Sequence, residues 1–126
     1  MHEVNEEHTV PKTRPRKPLK PHWFQILLAL ADHDLHGLQI TAEVDERTNG
    51  VVHLWPGMLY GALKSMLEEG LVAETEMPSH AKVSGGRPRY YSITKFGREM
   101  LVADVRRLST YLAAARAKDL IHGSDA

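Results

Sequence analysis

The stretch LWPGMLYGALKSMLEEGLV, Leu54 to Val72, decides the fold. Pro56 suits a first helical position, and Leu59, Leu63, Met66 and Leu67 follow at i, i+4, i+7 and i+8, a single apolar stripe. Gly70 supplies the stop. The period then drops to two, with Leu71, Ala73, Thr75 and Met77 alternating with Val72, Glu74 and Glu76, the pattern of a half-buried strand. Two glycines in the helical part need a reason. Gly57 and Gly61 stand one turn apart on one face, where each interior glycine costs a helix about 1 kcal/mol. That face, opposite the apolar stripe, also carries Tyr60, Lys64, Ser65 and Glu68.

Upstream, PHWFQILLALADH from Pro21 is apolar nearly all round and predicts a central helix over 21–32. HGLQITAEVDERTNG from His36 has Ile40 and Val44 one turn apart and an Asn49-Gly50 stop, which predicts a second helix from Gly37 to Thr48. Downstream, RYYSI is a second strand, separated from the first by the glycine-rich and basic loop PSHAKVSGGRPR. Strand alternation sends one ring of the Tyr90-Tyr91 pair to the core and the other to the surface. Thr94 is an N-cap candidate for a last helix reaching about Lys118. The order helix, helix, helix, strand, loop, strand, helix is mainly α with a small β-hairpin (α+β), a winged helix-turn-helix with a C-terminal dimerisation helix.

In that fold the third helix is the recognition helix. The bare backbone at Gly57 and Gly61 lets it approach the major groove, with Tyr60 and Lys64 in reach of phosphates or base edges and Met58 beside them. Glycines can also admit a second helix, but the polar Lys64, Ser65 and Glu68 favour DNA over an apolar protein contact. Lys82, Arg87 and Arg89 make the hairpin tip basic, suited to phosphates or the minor groove. PKTRPRKPLK, residues 11–20, holds Arg14, Arg16 and Lys17, three prolines and no acid, the composition of an extended basic arm. The chain thus divides into an arm over 1–20, a winged domain over 21–94, a helix over 95–118 and a tail over 119–126.

In the last helix Leu101, Val105, Leu108, Leu112 and Ala115 are spaced 4, 3, 4 and 3 apart, a coiled-coil seam that two copies could bury together. Charge and composition exclude other classes. The 126 residues hold 16 basic and 16 acidic side chains, which argues against a non-specific nucleic-acid coat. There is no cysteine, so neither a disulfide framework nor a thiolate zinc site is available, in keeping with a cytoplasmic protein. The apolar run WFQILLALA falls short of the ~20 residues a membrane helix needs, and Glu3, Glu6 and Glu7 upstream do not suit a secretory leader. His33 and His36 are the one close histidine pair, without further ligands, so no metal or other cofactor is expected. No nucleophile triad, phosphate loop or carboxylate pair points to an enzyme.

HG at 36–37, PGMLYGAL at 56–63, LEEGLV at 67–72, GGRPRYYSIT at 85–94 and Gly97 together resemble the PadR family of bacterial transcriptional regulators. The resemblance covers about 25 to 101 and implies a DNA-binding winged helix that dimerises through its C-terminal helix and usually represses, sometimes relieved by a small aromatic molecule. With one helix after the hairpin, the chain is similar to the short subfamily. It implies Tyr60, Lys64, Arg87 and Arg89 as DNA contacts. Trp55 stands where the family has Ser or Thr, Met58 where Thr is common and Gly61 where proline is usual, so hydrogen-bonding capacity is lost at the helix start; burial of Trp55 under the second helix is the expectation. The resulting expectation is a homodimeric repressor on a pseudo-palindromic duplex operator. Its alternatives are a winged-helix protein-interaction module that has lost DNA binding, and an effector sensor with an aromatic pocket built from Trp23, Trp55 and Tyr111.

Overall fold

The computed structural model describes residues 17–76 and 88–122. Helix α1 (Pro21–Leu30) is followed by a short strand β1 (Leu35–His36), helix α2 (Gly37–Thr48), helix α3 (Pro56–Glu68), strands β2 (Val72–Thr75) and β3 (Tyr90–Ile93), and helix α4 (Lys95–Ala117). The strands form an antiparallel sheet in the order β1-β3-β2. The hairpin expected from the sequence is therefore present and carries an additional strand on its far edge, pairing Leu35 with Tyr91 and His36 with Tyr90.

Each helix ends where the chain chemistry dictates. Proline opens α1 and α3, where its missing N–H removes no helical bond. α2 begins in a reciprocal cap: the Gln39 N–H donates to His36 Nδ1 at 3.3 Å and the His36 N–H donates to Gln39 Oε1 at 3.0 Å. Asn49 and Gly50 at φ 52° and 77° close α2, and Gly70 at φ 78° closes α3, with the Leu71 N–H returned to the Met66 carbonyl at 2.9 Å. Thr94 caps α4 by accepting the Gly97 N–H at 2.9 Å.

Ile26, Leu27 and Leu30 of α1 meet Ile40 and Val44 of α2, Leu59, Leu63 and Met66 of α3, and Leu71 and Val72, forming one core. Leu101 of α4 belongs to that core as well. α4 lies so close to the end of α3 that a Cβ on Gly97 would overlap the Leu71 carbonyl. A buried carboxylate fastens the entering chain: Asp104 of α4 accepts the Leu19 N–H at 2.9 Å and pairs with Arg107. Arg98 donates to the Ala31 carbonyl at 2.7 Å, tying the end of α1 to α4.

Two expectations about aromatic side chains are corrected. Tyr90 and Tyr91 are both buried, although alternation does place them on opposite faces: Tyr91 lies in the main core, whereas Tyr90 is covered from the other side by His36, ring edge to ring face at 5.3 Å. Trp55 does not pack under α2. It is 65% exposed, because its neighbour Leu54 already fills that interior position at 1% exposure.

Candidate nucleic-acid interface

α3 presents two faces of opposite character. Leu59, Ala62, Leu63 and Met66 are buried, while Gly57, Met58, Tyr60, Gly61 and Lys64 are exposed. A Cβ built on Gly57 or Gly61 meets nothing within 4 Å. Neither glycine therefore makes room for a neighbour among the described residues, and both leave bare backbone at the surface of the first two helical turns.

Tyr60 has a second attachment. Its ring is half exposed, but its hydroxyl rests against Gly37 at the start of α2, where an added Cβ would overlap Tyr60 Oη and Cζ. The His36-Gly37 pair is thus explained locally: the histidine caps α2 and the glycine admits the tyrosine. Lys64 extends from the exposed face one turn beyond Gly61.

The N-terminal end of α3 has no side-chain cap, since Trp55 occupies the capping position. The Trp55 ring packs against the His53 ring in a T-shaped pair, with centroids 4.2 Å apart and planes at 72°. His53 Nδ1 lies 3.0 Å from each carboxylate oxygen of Asp45 on α2. The exposed indole is consequently braced against α2.

On the hairpin, Arg89 is exposed and reaches across to Glu74, Nη1 to Oε2 at 3.4 Å. Burial pushes the Tyr91 phenol above its ordinary value, the Glu74 carboxylate adds to this, and a hydrogen bond from Arg89 opposes it. Arg89 is thus shared between an acid and a phenol at the wing's exit. Lys82 and Arg87 of the wing, and Arg14 and Arg16 of the arm, lie outside the described residues; Lys17 is exposed. Lys20 lies 5.0 Å over the buried Trp23 ring, close to the arm's root.

The residues expected to form a dimer seam separate into two groups. Leu101 is inside its own domain at 4% exposure and has no surface to offer a partner, because the first turns of α4 complete the core. Val105 and Leu108 are exposed, and Leu112 and Ala115 half-buried. Beside them a groove of about 290 Å³ runs between α1 and α4, lined by Pro21, Phe24, Leu108 and Tyr111 among others. Trp23, Trp55 and Tyr111 are not brought together: Trp23 is in the core, Trp55 opens α3, and the groove at Tyr111 contains neither. Among the described residues no three His, Cys, Asp or Glu side chains gather as a metal site, and no helix is long and apolar enough to cross a membrane.

Known proteins share this arrangement. A PadR family transcription regulator from hypervirulent Clostridium difficile superposes with a TM-score of 0.62 at 26% identity, over 75% of this chain and 94% of that one. Bacillus subtilis PadR, in a structure with operator DNA, has the same fold at a TM-score of 0.54 and 22% identity, over 65% of this chain and 45% of that one. In sequence, the chain is 34% identical over 84 residues to an uncharacterised 37.1 kDa protein in transposon TN4556 of Streptomyces fradiae, spanning 67% of this chain and only 22% of that relative's length. Residues 26–103 match the family described as "Transcriptional regulator PadR-like family". That segment runs from the middle of α1 through both strands of the wing into the first turns of α4, and the chain belongs to the PadR-like family of transcriptional regulators.

Proposed function

We propose that the protein is a homodimeric, sequence-specific DNA-binding regulator that represses transcription from a pseudo-palindromic operator. α3 enters the major groove with Gly57, Met58, Tyr60, Gly61 and Lys64 facing the bases and backbone. Arg89, with Lys82 and Arg87, serves phosphates from the wing, and the arm residues Arg14, Arg16 and Lys17 extend the same electrostatic contact. Two copies associate through Val105, Leu108, Leu112 and Ala115, so the protein's two-fold axis matches that of the operator. The effector reading rests on the apolar groove beside Tyr111.

The observation that carries this reading is the open space around Gly57 and Gly61 on the one exposed face of α3. A helix gives up about 1 kcal/mol for an interior glycine, and here no contact among the described residues offsets it. Gly61→Leu should therefore fold at least as stably as the parent while losing operator affinity more than affinity for random duplex, which depends mainly on phosphates. Melting curves and paired titrations measure both. A variant that melts lower and binds operator normally would end the assignment of this face. Leu108→Asp with Leu112→Asp should yield a monomer by light scattering; an unchanged dimer would remove α4 as the seam.

A further inference from the structure

We infer that Trp55 and Met58 form the base-reading element of α3 and that they read the 5-methyl groups of thymine; this rests on the DNA-binding reading above. Trp55 is the N-cap of α3 and Met58 lies in its first turn, so both stand at the end of the helix that carries Gly57. Both are exposed, Trp55 at 65% and Met58 at 45%. A large indole in water would ordinarily be free to turn, but this one is braced by the His53 ring, and His53 by both oxygens of Asp45. The chain therefore holds an apolar surface in a fixed orientation at the first turn of the helix, where recognition helices contact base edges.

The hydrogen-bonding inventory of the same turn points the same way. Pro56 has no N–H, Gly57 and Gly61 have no side chain, Met58 offers only a thioether, and the Tyr60 hydroxyl is turned against Gly37. Apart from the indole N–H and the backbone N–H groups of Gly57 and Met58, the first side-chain donors along the exposed face are Lys64 and Ser65, a turn or more beyond Gly61. A major groove offers one apolar feature to such a surface, the thymine methyl group. Bare glycines beside the two side chains bring the backbone close enough for them to reach it.

The test uses the full chain and duplex DNA. An operator is first selected from a random-sequence library, then resynthesised with deoxyuridine at each thymine in turn, which deletes the methyl group and keeps every hydrogen bond. Affinity should fall about fourfold for each methyl group that the protein buries. In Trp55→Ala and Met58→Ala that penalty should shrink or vanish, while Trp55→Phe, still apolar and aromatic, should keep most of it, and Lys64→Ala should weaken binding with the penalty intact. Melting curves of each variant check that truncating the exposed Trp55 leaves the chain folded. An enriched operator bound equally with thymine and uracil would overturn this inference alone, whereas a selection that enriches no sequence would overturn the DNA-binding reading beneath it. Trp55→Ala and Met58→Ala that bind every duplex as the parent does would also overturn it and assign the patch to a protein partner.

Discussion

The hydroxyl of Tyr60 on α3 packs against Gly37 at the first position of α2, so the orientation of α3 is set in part by a side chain on its exposed face. Gly37→Ala forces the tyrosine to swing away and also crowds Leu59 Cδ2, 3.2 Å from the new methyl group. Because the displaced atoms are the end of a half-exposed side chain, the cost should stay at the low end for overpacking, about 1 kcal/mol. Adding Tyr60→Ala should recover part of it. A double-mutant cycle by denaturant melting measures the coupling; additive effects would mean that the two residues do not share the contact.

Gly97→Ala should be more harmful. The Cβ there would run into the Leu71 carbonyl, which is backbone and already accepts the Thr94 N–H at 3.1 Å. α4 would have to lift from the end of α3, at a cost of about 3 kcal/mol or more. Equilibrium unfolding of the variant gives the number, and a loss under about 0.5 kcal/mol would show that α4 moves freely on the domain.

Arg89 is held by Glu74 in a largely exposed pair, which is worth between about 0 and 1 kcal/mol. If Arg89 serves a phosphate, the acid competes with DNA for it. Glu74→Gln should then raise affinity for all duplexes, by up to about fivefold at low salt. Arg89→Ala should lower affinity and reduce the slope of log affinity against log salt by roughly one. Fluorescence titrations over a salt series distinguish these outcomes from a wing that stays in solvent, where neither variant changes the slope.

His22 sets a direction for the pH dependence of stability. Burial, and then the charge of Lys20, lower its pKa from the ordinary 6.5. The unfolded chain therefore takes up the proton first, so the full stability is present above about pH 6.5 and part is lost as pH falls through the window below it. His22→Gln should flatten that part of the stability profile, and Lys20→Gln should narrow it. Melting temperatures between pH 7 and pH 5 for the three chains test it, and parallel profiles would remove His22 as the source.

Much of this was legible because chain punctuation is local. Pro21, Pro56, Asn49-Gly50, Gly70 and Thr94 act through their own dihedrals and hydrogen bonds, so they mark helix ends before any partner is known. What escaped was non-local. Strand β1 is two residues long and has no period of its own; it exists because β3 lies beside it. Tyr90 is covered in part by His36, which arrives from β1. Leu101 fits the seam's spacing and the core's equally well, and only the way α4 leaves the domain decides between them. For Trp55, hydrophobicity predicts burial, but which of two adjacent apolar residues takes a single interior position is a matter of backbone direction, and Leu54 takes it.

Strand β1 has a mechanical consequence. It joins the start of α2 to β3 through two residue pairs, so the hinge that would otherwise separate the wing from the helix-turn-helix is spliced shut. The start of α2 and strand β3 then keep one spacing, like the fixed jaw of a caliper. If two copies pair through α4 as proposed, the distance between half-sites is set by that helix. Under that proposal, tolerance for an operator with an added or missing base pair comes from flexing of α4, and a stiff α4 would make the protein a ruler for operator length.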